Sequence, residues 1–452
     1  MYGSAKKRDL TGSIVSVDSK QIANRPGSNA AASLQGKVAG LQVVNSGRPG
    51  QDPEIRIRGT NSINGYKPLY VVDGLFTDNI NHINAADIDK VEILKDASSL
   101  AVFGIAGANG VIIVSTKKAK EGSTTVNVNS TMGFKYVGDR INMTNASQFK
   151  ELYTEQLVNQ GAKPFDYTNW QADTDWQKAI FQTGFVTQNN VSISSANDKG
   201  RFYMGVGYDH EEGSIIKEKM SRVTVNLKSD FDVTDKIRFG FQFNGSRTLP
   251  ADAKDVEGAL KAAPISPMYG SVTNADGVNE KFPHQLPSFQ NIQVWNPLIK
   301  TDVRANHNKA ANYRGAGNIY GEVDFLNNFA FKATFTYDFA SNNSRMYTPL
   351  AQVYNPETKN IENLTEREVV TQAKSTDITA MSDYILTYKN DFGKHGITAT
   401  AGITTRYNEN SGIDVERSQH MDETLFHIPN NDPDKWSITS LGTNGMKNNG
   451  SQ

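Results

Sequence analysis

The sequence predicts a mainly β protein with a small α/β domain at its N-terminal end. Within Asp87–Lys118 two short apolar runs flank a loop of small residues, a pattern typical of strand, turn and strand in a compact covered sheet. After residue 120 the pattern changes to long segments in which apolar and polar residues alternate. We therefore predict two domains, residues 1–120 and residues 121–452.

The second region has the period-two pattern of strands with one apolar and one polar face. In 219–231, Val223 and Val225 alternate with Arg222 and Thr224. Several such runs reach the roughly 9–11 residues that a tilted strand needs to cross a bilayer. We count about nine of them, and they begin near residues 124, 186, 201, 219, 235, 310, 329, 373 and 396.

Connections between these strands alternate between short turns and long excursions. The short turns lie at 232–236, 326–328 and 391–395, and the long stretches at about 249–308 and 344–370 are rich in Pro, Asn and Gly. Bacterial outer-membrane barrels have brief turns at one end and extended loops at the other. A helix is also expected from Thr144 to about Gln160, capped by Asn142 or Thr144.

Aromatic residues are frequent near the strand ends. They fit either girdles at a membrane interface or core positions. The set is Phe134, Tyr136, Phe202, Tyr203, Tyr320, Phe335, Tyr337, Tyr384 and Tyr388.

Composition limits the possible function classes. The chain has 452 residues, a net charge of −1 and no cysteine, so disulfides, thiolate catalysis and cysteine metal sites are excluded. The near-zero net charge argues against a broad nucleic-acid surface. No HExxH, GxSxG or phosphate-loop motif occurs, and the seven histidines show no metal spacing. We therefore expect no catalytic residues, no metal and no cofactor.

Four motifs in the first 120 residues, in this order, resemble the plug domain of TonB-dependent outer-membrane receptors of the SusC/RagA type. They are the segments 34–43, 47–60, 67–76 and 87–118. The motif residues that the resemblance points to are Gly36, Gly40, Arg56, Arg58, Gly59, Asp73, Gly74, Glu92, Lys95, Asp96, Gly104, Gly107, Asn109 and Gly110.

The resemblance implies an N-terminal plug followed by the first part of a large β-barrel in the outer membrane of a Gram-negative, Bacteroidetes-like cell. It further implies import of oligosaccharide or oligopeptide fragments, energised by the inner-membrane TonB complex and assisted by a SusD-like substrate-binding lipoprotein. Outer-membrane lipid would surround the wall, and nucleic acid would have no role. The segment that TonB pulls and the signal peptide are expected to precede this chain.

The strand count predicts that the barrel is incomplete. A barrel that holds a plug of about 120 residues should be of the 22-stranded size, since an eight-stranded barrel is filled by its own side chains. We therefore expect about nine strands, of which the last, near 396–410, has an unpaired edge.

Alternation within the N-terminal strands predicts which residues are buried. Arg56 and Arg58 should lie opposite the apolar face and pair with acids. The residues expected to form one core are Ile55, Ile57, Val71, Val72, Ile93, Val111 and Ile113.

Two other classes of protein fit parts of the pattern. A surface binding or adhesion protein could have the same alternating strands without transport. A periplasmic sugar-acting enzyme is less well supported, because no paired acid motif is evident, although carboxylate pairs can be recognised only from coordinates. The sequence does not distinguish sugar from peptide as the substrate.

Overall fold

The computed structural model describes most of the chain. The described residues are 14–23, 27, 29–59, 66–119, 122–252, 256–290, 294–303, 308–365, 368–393, 395–419 and 437–448.

The described residues up to 119 form a small α/β unit, called here the N-terminal unit. Its strands are β1 (Ile14–Asp18), β2 (Leu41–Val44), β3 (Glu54–Ile57), β4 (Leu69–Val72), β5 (Leu75–Thr77), β6 (Ile88–Leu94) and β7 (Val111–Thr116). Its helices are α1 (Ser19–Ala23) and α2 (Ala97–Leu100), with 3₁₀ turns at Ala31–Leu34, Ala85–Asp87 and Ala101–Gly107. Five strands make one sheet in the order β1-β6-β7-β4-β5, and β2 and β3 form a separate hairpin.

Side chains on both faces of the five-stranded sheet are buried, so the expected single core is divided into two. One face carries Val72 and Ile93, which pack with Ile55 and Ile57 of the hairpin. The other carries Val71 and Val111, with Ile113 packed against them and partly buried. The prediction of one shared core was wrong because neighbouring residues of a strand point to opposite faces. The continuous apolar run of β7 is the pattern of a strand that is covered on both sides.

The long strands of the second region form a single antiparallel sheet, called here the wall. Its strands are β8 (Gly122–Lys135), β9 (Gly184–Asn197), β10 (Gly200–Glu212), β11 (Lys219–Thr234), β12 (Ile237–Leu249), β15 (Lys309–Phe325), β16 (Phe329–Thr348), β19 (Glu368–Phe392), β20 (His395–Gln419) and β21 (Ser437–Asn448). Each strand pairs with the wall strand that precedes it and the one that follows it, and β8 and β21 lie at the two ends of the order.

The nine predicted wall strands are all present, and a tenth follows them. β21 pairs with β20 from Arg406↔Asn448 to Glu416↔Ser437. The prediction that the strand near 396–410 has an unpaired edge was therefore wrong. The Asn- and Gly-rich composition of the last residues concealed a strand that long-range pairing stabilises despite its low intrinsic β-propensity.

The two faces of the wall differ in chemistry, as the alternation predicts. In β10 and β11 the exposed side chains include Met204, Val206 and Val223, whereas Arg222 and Thr224 are buried beneath the N-terminal unit. Apolar residues thus face outward and polar residues inward. Two of the aromatic residues are inward-facing rather than girdle residues, because the hydroxyls of Tyr203 and Tyr320 bind carboxylates inside the wall.

The long excursions fold into ordered structure at one end of the wall. They contain α5 (Glu257–Lys261) and the hairpins β13–β14 (Tyr269–Thr273, Asn279–Pro283) and β17–β18 (Gln352–Asn355, Asn360–Asn363). A further long connection, between β8 and β9, contains α3 (Ala146–Asn159) and α4 (Trp176–Ile180) and is counted with the excursions from here on. The predicted helix is α3, whose cap is Asn145 rather than Asn142 or Thr144 and forms a capping box with Gln148.

Side chains from different excursions pack together at this end. Trp176 donates from Nε1 to the carbonyl oxygen of Ala263 at 2.9 Å. The His284 ring lies 5.5 Å from those of Trp170 and Tyr354. A short π-helical turn, Ile299–Val303, completes this part. The excursions therefore form one packed layer over the end of the wall.

Gly110 offers a test of how the hairpin packs on the five-stranded sheet. A Cβ added to this residue would lie 2.6 Å from Cδ1 of Ile57, and its φ is 97°. Gly110→Ala should destabilise the N-terminal unit by about 2–3 kcal/mol through overpacking and backbone strain. Thermal unfolding of the purified protein would measure this loss.

Gly36→Ala is the matched control for that substitution. Gly36 also has a positive φ, of 74°, but open space surrounds its Cβ position. It should cost only about 1 kcal/mol of backbone strain. Equal losses for the two variants would contradict the packing of Ile57 against Gly110.

Candidate functional site

The turn between β4 and β5 binds the N-terminal unit to the inner face of the wall. Asp73 and Gly74 have φ values of 47° and 91°, so the chain reverses sharply after Val72. Asp73 Oδ1 lies 2.9 Å from Nζ of Lys228 on β11 and accepts the backbone N–H of Thr116 at 3.0 Å. Gln242 of β12 donates to the carbonyl oxygen of Asp73 at 3.0 Å. This turn therefore joins two strands of the N-terminal unit to two strands of the wall.

A second contact is made by the 3₁₀ turn Ala85–Asp87 and its cap. Asn84 caps the turn by accepting the N–H of Ala86 at 2.8 Å, and its Nδ2 lies 3.5 Å from Oδ1 of Asp209. Asp87 is completely buried and accepts hydrogen bonds from Tyr203 at 2.7 Å and Asn190 at 3.1 Å. Side chains of β9 and β10 thus hold this turn.

Two glycines of β10 make that close approach possible. An ideal Cβ on Gly205 would lie 2.4 Å from Oδ1 of Asp87, and one on Gly207 would lie 2.3 Å from Nδ2 of Asn84. No other residue type leaves this room, because every other side chain begins with a Cβ atom. The alternate glycines therefore form a shallow recess in the wall for the 3₁₀ turn.

A buried ion pair lies beside this recess. Nη2 of Arg222 is 2.8 Å from Oδ2 of Asp209, and both side chains are almost inaccessible to solvent, at 2% and 1%. Arg222 Nε donates to the same oxygen at 3.1 Å. Removing one partner of such a pair typically costs 3–5 kcal/mol, since the other charge stays buried and uncompensated. Asp209 thus links Asn84 of the N-terminal unit to Arg222 of the wall.

Burial also changes the ionisation of polar groups within the N-terminal unit. Burial raises the pKa of the Asp52 carboxyl, and hydrogen bonds from Asn29 and Asn81 partly oppose this rise. It lowers the pKa of His82 well below its ordinary value, with Arg314 and Arg222 adding to the effect. His82 is therefore a neutral imidazole at neutral pH.

A cavity of about 960 Å³ lies between the N-terminal unit and the wall. Glu218, Met220 and Thr248 line it at the end of the wall that carries the long excursions. The N-terminal unit contributes Arg48, Gln51, Phe76, Asn79 and His82 among others, and the wall contributes Arg222, Arg314, Asn312, Asp338, Asn342, Asp377, Asn408 and Asn410 among others. The cavity thus lies directly over the docked N-terminal unit.

Most of the polar side chains in the cavity are neutral or paired. Asn312 is opposite Asn342 in the sheet, and Asn342 donates to Ser375 at 3.2 Å. Arg314 lies 2.6 Å from Asp338, and Asn410 donates to Asp377. The lining therefore presents amides together with charged groups of both signs, and these groups bind hydroxyl and peptide groups.

The predicted motif residues have mainly local roles in the N-terminal unit. Six of the glycines have positive φ angles: Gly36, Gly40, Gly59, Gly74, Gly104 and Gly110. Gly107 packs tightly, since a Cβ there would lie 2.9 Å from Cβ of Phe103. Asn109 lies in the turn before β7.

The charged motif residues other than Asp73 pair within the unit. Arg56 pairs with Glu54 and Arg58 with Asp96, as expected for arginines on the polar face. Lys95 donates to the carbonyl oxygen of Ala39 at 2.9 Å, and Glu92 lies 3.1 Å from Lys90. Within the described residues, Asp73 and Gly74 alone among the motif residues belong to the turn that docks on the wall.

The sequence-based reasoning missed the other docking residues. Among them are Asn84, Asp87, Asn190, Tyr203, Asp209, Arg222, Lys228 and Gln242. The inward position of Arg222 and Lys228 followed from alternation, but their partners are distant in sequence. The only local signal was Gly205-Val206-Gly207, where small residues alternate on the polar face of a strand.

Two negative findings concern the described residues. No helix there is long and apolar enough to span a membrane. Nowhere in the described ranges do three or more His, Cys, Asp or Glu side chains gather in a way that could hold a metal ion.

Comparison with known proteins identifies the first part of the chain. The family model of the TonB-dependent receptor plug domain matches residues 6–111. TonB-dependent receptor P3 of Formosa agariphila is 29% identical over 429 residues, which cover 91% of this chain and 40% of that protein. TonB-dependent receptor SusC of Bacteroides thetaiotaomicron is 33% identical over 287 residues, which cover 60% of this chain and 28% of SusC.

A solved structure has the same fold. The RagAB peptide importer in its closed-closed state matches with a TM-score of 0.78 and 20% identity, covering 96% of this chain and 52% of that chain. The present chain thus spans about two fifths of the length of receptor P3 and about half of the matching RagAB chain.

The fold and the site define a class of protein in which a plug domain docks on the polar inner face of a β-barrel-type wall. Residues 6–111 match the plug domain of TonB-dependent receptors, and the chain is similar in sequence to part of SusC and in fold to part of the matching RagAB chain. The N-terminal unit is called the plug from here on.

The ion pair between Asp73 and Lys228 should be a main determinant of plug docking. Lys228→Met leaves the Asp73 carboxylate buried without its cation and should weaken docking by about 3 kcal/mol. Asp73→Asn should do the same, and the double variant should lose less than the sum of the two. Hydrogen exchange of the β4 and β7 amides in the complete receptor measures the loss. Additive losses would show that the two side chains do not interact.

Gly205 should be essential for the approach of the plug to the wall. Gly205→Ala places a methyl group where Asp87 lies and should speed hydrogen exchange of the Asn84–Ile88 amides at least about tenfold. Gly321→Ala is the control, because open space surrounds the Cβ position of this wall glycine. Equal exchange rates in the two variants would contradict the recess described above.

Proposed function

We propose that the protein is an outer-membrane importer of nutrient fragments, either oligosaccharides or oligopeptides, that is gated by its plug. The observation that supports this best is the cavity, whose walls are shared by the docked plug and the inner face of the wall. A ligand in that cavity touches the plug directly. Binding and gating can then be coupled without any other moving part.

The nature of the docking contacts supports a plug that can be released. The contacts consist of a few polar groups, such as Asp73 with Lys228 and Asp87 with Tyr203. Water can replace polar partners at a smaller cost than it can hydrate an apolar core. An energy source is still required, because several buried groups must separate together. We propose that the inner-membrane TonB complex supplies this energy.

Residues 1–120 are proposed to form the plug and residues 121–452 part of the transmembrane wall. The motif glycines and the charged motif residues other than Asp73 are proposed to shape the plug rather than to bind substrate, since the partners of Arg56, Arg58 and Lys95 lie within it. The proposed activity is transport without catalysis.

The cavity lining suits either substrate class. The amides Asn312, Asn342, Asn408 and Asn410 can donate to and accept from sugar hydroxyls or peptide groups. Arg314 and Asp338 are paired with each other, which disfavours a ligand of high net charge. We therefore propose a neutral or weakly charged oligomer.

The proposed partner is a SusD-like substrate-binding lipoprotein at the cell surface. The excursions at about 249–308 and 344–370, which include the hairpins β13–β14 and β17–β18, are the candidate docking surface. The exposed apolar residues of the wall, such as Val206 and Val223, are proposed to contact outer-membrane lipid.

The transport proposal predicts energy-dependent uptake by the complete receptor. Cells that carry it should accumulate labelled oligosaccharides or oligopeptides, and both deletion of the receptor and collapse of the proton-motive force should abolish uptake. If surface binding persists and uptake is unaffected by collapse of the proton-motive force, the proposal is overturned. Binding without any uptake would favour an adhesion protein instead.

Asn342 and Asn343 provide a matched pair for the cavity. Asn342 lines the cavity, and its neighbour on β16 points to the other face of the wall by alternation. Asn342→Leu should lower substrate affinity about tenfold, because a ligand hydrogen bond is lost and a polar ligand group is left unpaired. Asn343→Leu should leave uptake unchanged. Equal effects would place the substrate elsewhere.

A further inference from the structure

Among the described residues, Asp87 differs from the docking carboxylates Asp73 and Asp209 in having no cation within hydrogen-bonding distance. Asp73 contacts Lys228 and Asp209 contacts Arg222, whereas the side chain of Asp87 is held by the neutral groups of Tyr203 and Asn190. Asp87 is nevertheless completely buried between the plug and the wall. An ionised carboxylate in such a place is costly.

The pairing of Asp87 with Asn190 leaves two buried oxygen atoms without partners. Asn190 Nδ2 donates to Asp87 Oδ1 at 3.1 Å. Within the described part of the chain, Asp87 Oδ2 and Asn190 Oδ1 are both buried and have no hydrogen-bond partner. Both are acceptors, so neither can satisfy the other. Two such atoms on the same pair of side chains are unusual in a folded protein.

We propose that Asp87 is protonated on Oδ2 in the docked plug and donates this proton to Oδ1 of Asn190. One proton then satisfies both atoms, and the carboxylic acid and the amide form a cyclic pair with two hydrogen bonds. Tyr203 remains a donor to Oδ1 of Asp87 at 2.7 Å. The neutral pair acts as a proton-dependent latch between the plug and β9.

The charged groups around Asp87 are consistent with this state. Burial raises the pKa of the Asp87 carboxyl, and the nearby Asp209 adds to the effect. Hydrogen bonds from Tyr203 and Asn190 and the charge of Lys117 lower this pKa, and each of these effects is smaller than that of burial. Arg222 is engaged by Asp209 rather than by Asp87.

The latch makes plug docking depend on pH. A released plug exposes Asp87 to water, where its pKa returns to about the ordinary 3.8 and the proton passes to solvent. At pH values between the pKa of Asp87 in the released plug and its higher pKa in the docked plug, the docked state therefore binds more protons than the released state. Docking should weaken as pH rises through that window. At pH values below the window, the ionisation of Asp87 should have no effect on docking.

Infrared spectroscopy of the complete receptor in detergent at neutral pH tests the protonation directly. The difference spectrum between the wild type and Asp87→Asn should contain the C=O band of one protonated carboxyl group. The control Asp73→Asn should remove carboxylate bands only, because Asp73 is ion-paired with Lys228. Carboxylate bands alone for Asp87→Asn would overturn the proposal.

The pH dependence provides a second test. Asparagine at position 87 can make the same two hydrogen bonds to Asn190 without a proton, so Asp87→Asn should remain docked at every pH. The wild type should show faster hydrogen exchange of the Asn84–Ile88 amides as pH rises, after correction for intrinsic exchange, and the variant should not. An identical pH profile in both proteins would overturn the latch.

The wild-type profile needs no variant, so a flat corrected profile would overturn the latch even if Asp87→Asn did not fold. The role of the latch in gating rests on the proposed import function. The protonation of Asp87 does not rest on that function. A negative infrared result would therefore overturn the latch alone, and a negative uptake result would overturn the import function alone.

Discussion

The structure depends on one constraint: a cation that the plug buries on the inner face of the wall must find an anionic partner. Lys228, Arg222 and Asn190 are all buried there, and each has a partner in the plug or beside it. A charged group buried without a partner would cost several kcal/mol. The contacts at Asp73 and Asp87 therefore fix both the position and the orientation of the plug.

This constraint explains why the plug presents turns rather than strands to the wall. A turn exposes side chains and free backbone groups at its tip, and these can reach partners on several strands at once. The turn at Asp73 contacts β11 and β12, and the turn at Asp87 contacts β9 and β10. The apolar residues of the plug remain in its own two cores. Release of the plug thus need not expose either core.

Much of the architecture could be predicted from the sequence, because it follows from local patterns. Alternation in 219–231 correctly separated Val223 from Arg222, and the motif arginines pair with acids as expected. The division of the plug core into two faces was also implicit in alternation, although Val71 and Val72 had been assigned to one core. The strand β21 was missed because its stability comes from pairing with β20 rather than from its own composition.

The docking site could not be predicted in the same way. Asp87 and Tyr203 are 116 positions apart, and no pattern in either segment indicates the other. The identity of a partner across a tertiary contact depends on how two folded units are placed. Gly205 and Gly207 were visible in the sequence, but glycine in a strand has several explanations, and only the geometry shows that these two make room for the plug.

The position of β1 has a mechanical consequence. This strand is the first described element of the chain, lies at an edge of the five-stranded sheet and pairs only with β6. A force applied to the N-terminal end is borne first by the hydrogen bonds between β1 and β6. Peeling β1 away uncovers Val17 but leaves β6, β7, β4 and β5 paired. The first response of the plug to tension can therefore be confined to β1.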